Sequence, residues 1–576
     1  MNRFIQQYGP LLLTLLFGIS VLLFWRLCYP FAMSYQEQCQ LFLFDSQYFL
    51  DRVAVPGGLT RYVSEFLVQF YNNFWLGATV IALLLMLLQW LVWRLMRQAA
   101  GDLPAGGHTF CVWYPLSFLP SVMVWYVMGD ENMTLMFPVA LIVTAALMLL
   151  YQWLSRKGRW GRWMWLILIP IGYWIAGPAV LMLAVMTGML MLIAVPYTLL
   201  LVAFCCFMVP YAFDVQMCGI GYYRNFAMMG VPMALIMLVI GLLPLLVRWL
   251  PKMKNDRQQL VTVAAQVAVL VLAVVAFVPR GFDARTYEVM EYDYLVRVNN
   301  WDGILAKADK KSPDLPMSVC ATNLALAMKG ELCERAFDYF QHGAEGLLPP
   351  FDRNFNAIPL TGEAYWQLGM VNTAQRFAFE AMEAIPNYCK SSRSVKRLAE
   401  TNLVNGQYEV ARKYLQMLEK TVFYRRWAQR TLQLLGNEQA INQHPLYGRQ
   451  RQLRLKDDFM FSEREIDKIM GQLLMQNPQN TLAMQYLLMF PLLNRDINTF
   501  MNYMMYILQH HPNYRPRACQ EAIALAYAHR RQQPPQGLVA PQVLQRYNDF
   551  MQAYRNHGPV ELYRNTAWYY LLSNEK

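Results

Sequence analysis

Three carboxylates, Glu37, Asp45 and Asp51, fall within 15 residues in "YQEQCQLFLFDSQYFLDR" (35–52), just after an apolar run. A carboxylate at a membrane surface costs little while solvated and much once buried. A buried one suits a general base or a ligand for a divalent cation. Each is therefore a candidate base or metal ligand; solvated positions, or partners for Arg52 and Arg61, are the plainer reading. A second group lies in "YAFDVQMCGIGYYRNF" (211–226), where Tyr222 and Tyr223 precede Arg224. A guanidinium beside aromatic rings suits a phosphate or carboxylate head group. It suits interfacial anchoring equally well. "MGDEN" (128–132) sets Asp130 beside Glu131, which reads first as a turn.

The elements that must position these residues come in two unlike halves. The chain has 576 residues, is 56% hydrophobic and has a mean hydropathy of +0.20. Residues 1–279 carry long apolar runs, and residues 280–576 read as a soluble helical domain. A bilayer crossing takes roughly 20 apolar residues. On that measure about nine spans are expected, at 9–29, 75–96, 110–129, 133–153, 163–177, 178–195, 197–213, 229–249 and 259–279. The first run follows "MNRF" without a cleavage site and reads as an uncleaved signal anchor. With the N-terminus inside, the inner segments hold eleven basic residues and the outer ones four: Arg26, Arg52, Arg61 and Arg224. That asymmetry sets the orientation. With an odd number of spans the C-terminal half lies outside, which is periplasmic at a bacterial inner membrane.

The outer loop 30–74 is long because it contains helices. Leu59, Tyr62, Val63, Phe66, Leu67, Phe70, Tyr71 and Phe74 repeat at i, i+3, i+4, while Arg61, Ser64, Glu65 and Gln69 take the other face. Such a helix lies in the membrane interface, and "VPGG" turns the chain into it. The stretch 34–53 reads as another.

In the second half short helices alternate with Gly or Asn turns, as in "LAMKGELCERAFDYF" (326–340), "YWQLGMVNTAQRFAFEAM" (365–382) and "NLVNGQYEVARKYLQML" (402–418). Gly330, Gly369 and Gly406 are 39 and 37 residues apart, near the tetratricopeptide period. Tyr365, Gly369, Ala374, Ala381 and Pro386 match the later part of that pattern. The half is expected to be a TPR-like solenoid that binds protein partners on a concave face.

The net charge of +12 is divided evenly between the halves with no basic block, which argues against nucleic acid. The ten cysteines form no CxxC and no Cys/His cluster, so zinc is not expected. Buried small apolar side chains are the plainer reading of the cysteines; in an oxidising compartment Cys320 and Cys333 could pair.

"YPF…YQEQCQLFLFDSQYFLDR…PGGLTRYVSEFLVQFY", followed by several spans and a TPR-like tail, resembles a family of bacterial multi-pass membrane proteins of unknown function. The architecture is also similar to membrane glycosyltransferases of the GT-C type. That resemblance implies a polyprenyl-phosphate-linked sugar donor, a divalent cation, Glu37, Asp45 or Asp51 as base, and Arg224 with Tyr222 and Tyr223 at the donor phosphate. The chain departs from those enzymes in lacking an Asp-Asp or Asp-Glu pair in its first outer loop. Two readings stand. One is a GT-C-like transferase modifying an envelope glycan or lipid, with a loop carboxylate facing Arg224 across a cavity. The other is a non-catalytic membrane scaffold whose helical tail recruits envelope proteins. The acidic, elaborate loop inclines the reading to the transferase.

Overall fold

The computed structural model describes residues 3–99, 110–188, 196–198, 200–201, 221–224, 231–250, 255–350, 357–385, 390–456 and 465–572. Among them the chain is all-helical, 78% helix with no strand. A single isolated antiparallel bridge joins Met133 to Tyr223.

Among the described residues five helical segments are long and apolar enough to cross a membrane: Tyr8–Cys28, Phe74–Ala99, Met136–Ser155, Trp165–Gly188 and Asp256–Arg280. Val112–Val127 and Val231–Leu246 are apolar but shorter. The two spans expected at 163–177 and 178–195 run together as Trp165–Gly188. Pro170 lies inside the helix Trp165–Ala176, and Pro178 only tightens the chain into a 3-10 turn, Gly177–Val180, before Leu181–Gly188. Neighbouring helices can satisfy the backbone groups a proline frees, so proline does not end an apolar helix as it ends a solvated one. Most of the expected span 197–213 lies outside the described residues, as do Pro386 and all of segment 211–226 except 221–224.

The chain divides into two compact units. The first holds Met1–Ala284 with two later segments, Ile385–Ser392 and Met417–Arg426. The second holds Arg285–Ala384, Arg393–Gln416 and Trp427–Lys576.

In the first unit, helix α1 (Arg3–Leu23) and the helix Met136–Ser155 both pack on Phe74–Ala99. A polar seam runs through this apolar bundle: fully buried Gln89 donates to Ser117 Oγ at 2.7 Å and accepts from Thr14 Oγ1 at 3.3 Å. Where the helices Leu119–Val127 and Asp256–Phe277 run out, Gly129 meets Gly281. A Cβ on Gly129 would stand 2.6 Å from the Gly281 carbonyl carbon, and one on Gly281 would stand 2.2 Å from the Tyr126 carbonyl oxygen. Only glycine permits that approach.

The 30–74 loop contains α2 (Pro30–Gln38), α3 (Ser46–Val53) and α4 (Gly58–Val68). Proline opens α2, where its missing N–H and fixed φ suit a first turn. Gly57 turns the chain into α4 at φ 78°. The α4 helix turns polar residues inward. Thr60, Ser64 and Glu65 are buried, whereas Leu59 and Val63 are exposed. The rest of its apolar stripe packs within the loop, Tyr62 against Phe42 and Phe49 and Phe66 against Phe42 and Phe44, and Tyr71 is buried.

The second unit is built of short helices joined by tight turns. Gly330 and Gly369 (φ 80° and 85°) end the helices Pro316–Lys329 and Ile358–Gln367, and Gly406 (φ 79°) follows Ser392–Val404. Asn299 does the same at φ 55° after Ala284–Arg297. A left-handed residue stops a helix while satisfying its last carbonyls, and glycine or asparagine adopts it at least cost. The next helix then starts on a capping side chain: Asn300 Oδ1 accepts from Gly303 N, Asn480 Oδ1 from Ala483 N and Asp496 Oδ1 from Thr499 N. The most apolar of these helices, Thr481–Leu493, is buried all round.

Candidate functional site

The α2 helix is polar in sequence and yet buried: Ser34, Gln36, Glu37 and Gln38 are all shielded. Buried polar side chains must be hydrogen-bonded or they cost several kcal/mol, and these are. Gln36 Nε2 donates to the carbonyls of Met133 at 2.8 Å and Glu131 at 3.2 Å. Gln38 Nε2 donates to Ser34 Oγ at 3.2 Å.

The carboxylate of Glu37 accepts from Ser392 Oγ at 3.1 Å and from the Tyr424 hydroxyl at 3.1 Å. Both donors belong to the later segments that join the first unit. Around them lies a cleft of ≈ 280 Å³, including its open mouth, lined also by Gln40, Phe42, Gln69 and Phe423. Its enclosed part has room for about one water.

Asp45 stands just before α3 and pairs with Lys420 Nζ at 2.8 Å, half open to solvent. The Lys420 hydrogen bond holds its carboxyl below the usual carboxylate range. The neighbouring main chain is tied to the same residue, Phe44 N donating to Lys420 O at 2.8 Å. Further along, Val422 N donates to Gln69 Oε1 and the rings of Phe70 and Phe423 meet edge to face. Asp51 is exposed and accepts from Gln47 Nε2 at 2.8 Å, one turn back on the same helix.

Arg224 is buried on another side of α2. Its Nη2 donates to Gln36 Oε1 at 2.8 Å and its Nη1 to the Glu131 carbonyl at 2.9 Å. Its own N–H donates to the carbonyl of Asn132 at 2.8 Å. The segments 128–134 and 221–224 are thereby brought together, with Gln36 between them. The adjacent residues Gln36 and Glu37 serve different partners, because successive side chains on a helix diverge by about 100°. Tyr222 is fully buried, its hydroxyl donating to Ala176 O and accepting from Ala179 N at 3.1 Å. Tyr223 donates to Asp130 Oδ2 at 2.7 Å. Burial, with Asp130 beside it, raises the Tyr223 hydroxyl above its ordinary value. Burial also raises the carboxyl of Glu131, helped by Asp130 and Asp283 and opposed by its own main-chain hydrogen bond and by Arg224.

Sequence reasoning missed Glu65, the most enclosed charge in the loop. It receives Arg52 Nε at 2.8 Å, Arg61 Nε at 3.0 Å and the Tyr48 hydroxyl. Burial pushes this carboxyl up, but Arg61, Arg52 and Tyr48 outweigh it and hold it below the usual range. The i,i+4 spacing of Arg61 and Glu65 was the one available signal. Nothing in the sequence marked Lys420, Ser392 or Tyr424 as partners of the loop.

The second unit has its own buried charge cluster. Glu363 takes Arg397 Nη2 at 2.6 and 2.8 Å and Arg393 at 3.5 Å. Arg393 also forks onto Asp293, both bonds 2.8 Å. Burial raises the Glu363 carboxyl, and Arg397 and Arg393 more than reverse it. Among the described residues no three His, Cys, Asp or Glu side chains lie close enough to hold a metal ion. No step through a divalent cation is therefore derived.

Membrane-length apolar helices, a folded and hydrogen-bonded loop between the first two, and a helical C-terminal unit together define an all-helical membrane protein. The chain belongs to DUF6057, a family of unknown function, whose model matches residues 5–574. No curated protein and no solved structure matches it.

Proposed function

We propose that this protein is a non-catalytic scaffold of the bacterial inner membrane, with a helical C-terminal part that recruits envelope proteins. The observation that carries this reading is how the loop uses its ionisable side chains. Glu37 is held by Ser392 and Tyr424, Asp45 by Lys420, Glu65 by Arg52 and Arg61, and Arg224 by Gln36. The enclosed part of the cleft at Glu37 holds only about one water. Glu37, Asp45 and Gln69 tie Ser392, Lys420, Val422 and Tyr424 into the first unit, while Glu65 and Arg224 are taken up by other partners. Orientation rests on the charge asymmetry. An odd number of spans puts the C-terminal half in the periplasm, and the stretch that decides the parity, 189–220, lies almost wholly outside the described residues.

One observation favours the transferase reading in altered form. The Asp130–Glu131 pair, not Glu37, Asp45 or Asp51, shares a turn with Arg224. A base would then be Glu131, half buried and raised in pKa by that burial.

The deciding experiment follows labelled sugar from polyprenyl-phosphate donors into envelope material, in membranes with and without the protein. Equal incorporation is expected. Protein-dependent incorporation that disappears in Glu131→Gln, at unchanged protein level, would overturn the scaffold reading. In parallel, a photo-crosslinker at exposed Phe379 or Tyr506 is expected to join the chain to one discrete envelope protein in cells.

A further inference from the structure

The sequence offered Cys320 and Cys333 as a pair that could bridge, but the second unit arranges its thiols otherwise. Cys320 Sγ donates to the Leu347 carbonyl at 3.3 Å. Cys333 lies on the short helix Leu332–Arg335, which packs directly on Arg517–His529, the helix carrying Cys519. The two thiols lie close enough to interact electrostatically, both are fully buried, Tyr514 lies beside both, and Cys333 Sγ also donates to the Gln485 carbonyl at 3.8 Å. No other pair of described cysteines meets in this way.

We propose that Cys333 and Cys519 form a disulfide, made by exchange with an oxidised dithiol protein or another disulfide donor. The Cys333–Cys519 bond forms as each thiol gives up a proton and one electron, and the donor disulfide is reduced to two thiols. The two helices pack on one another, so the bond closes a chain loop of 186 residues (519 − 333) across an existing contact.

The same geometry dictates when the bond forms. Burial, reinforced by Cys333, raises the Cys519 thiol well above its ordinary value. A thiol that stays protonated is a poor nucleophile. Exchange therefore belongs to the folding chain, before the helices close over the sulfurs. Once formed, the bond is out of reach of a soluble reductant until the unit opens.

The test uses the full chain and reads one linked species. Trypsin releases Cys333 in "GELCER" (330–335) and Cys519 in "ACQEAIALAYAHR" (518–530). Cells are quenched with an alkylating agent under denaturing conditions, and the peptides are analysed by mass spectrometry without reduction. Protein purified in detergent is separately reduced under partial denaturation, returned to native conditions with oxidised glutathione and analysed in the same way. The expected result is the 330–335/518–530 linked peptide in both samples, absent from Cys519→Ser. Linkage in vitro with free thiols in cells would keep the pair and sink the periplasmic placement. If both cysteines instead carry glutathione or alkyl groups in vitro, the inference is overturned, whatever compartment holds the unit.

Discussion

The helices Gly58–Val68 and Val371–Ala384 are comparably amphipathic, yet the residues they shield differ in kind. The first shields Thr60, Ser64 and Glu65 and leaves Leu59 and Val63 exposed. The second shields Val371, Ala374, Phe377 and Ala378 and exposes Asn372 and Arg376. The second case follows from the hydrophobic effect in water, where apolar area is buried at about 25 cal/mol per Å². The first has the polarity of a helix bordered by lipid, where apolar side chains lose nothing by facing outward and polar ones must be satisfied within the protein. Periodicity therefore reports that a helix has two faces; the solvent on each side decides which one turns inward.

Despite this contrast the two regions share a device, a carboxylate enclosed by two arginines. Removing one partner of such a cluster strands the others, at a cost of about 3–5 kcal/mol. Glu65→Ala and Glu363→Ala are both expected to show the largest losses. Each would be read as a fall in thermal midpoint and as new proteolytic cuts in the affected unit alone. If Glu65→Ala were neutral, Arg52 and Arg61 would have to reach solvent, and the buried polar face of α4 would be wrong.

The pH dependence separates the units more finely. In the second unit Glu521 is buried beside Arg517 and accepts from Ala567 N at 2.6 Å. Burial raises its carboxyl to about 7. A carboxyl raised on folding is more protonated in the folded state, so its contribution is complete below the unfolded value near 4.5 and is lost as pH rises through 7. The second unit should lose up to ~3 kcal/mol between pH 4.5 and 8. Glu521→Gln should flatten that slope, and an unchanged slope would remove Glu521 as its source.

A smaller effect tests the outward side of α4. Val63→Glu places a charge on the exposed apolar face of α4 and should cost roughly 1 kcal/mol if that face meets the membrane interface. It should also weaken retention in short-chain detergents. Asn372→Glu, on the exposed face of its counterpart, should change neither. Equal indifference at both sites would mean that water bathes both faces. The smallest change is expected of Asp45→Asn, because the partly exposed pair with Lys420 is screened by solvent. Its midpoint should stay within assay error of the parent.

Much of this architecture was legible in the sequence. Apolar runs marked the membrane-length helices, the 30–74 loop showed its helices through periodicity, and Gly330, Gly369 and Gly406 announced their turns. Proline misled at 165–188, because Pro170 and Pro178 interrupt a run that stays helical as Trp165–Gly188. The site was far less legible. Glu37, Asp45 and Arg224 were visible as chemistry-bearing residues, but their partners Ser392, Tyr424, Lys420 and Gln36 were not. Three of those four lie more than 350 positions from the residues they hold, in segments of ordinary composition. Long-range pairing of that kind leaves no periodic trace in one sequence.

The contact of Gly129 with Gly281 carries a consequence for descent. It joins main chain to main chain, so it contains no side chain that a substitution could trim or refill. Neither position can explore alternatives while the other stays fixed. Across the family the two sites should behave as one inherited character, kept together or abandoned together when the last apolar helix shifts its crossing.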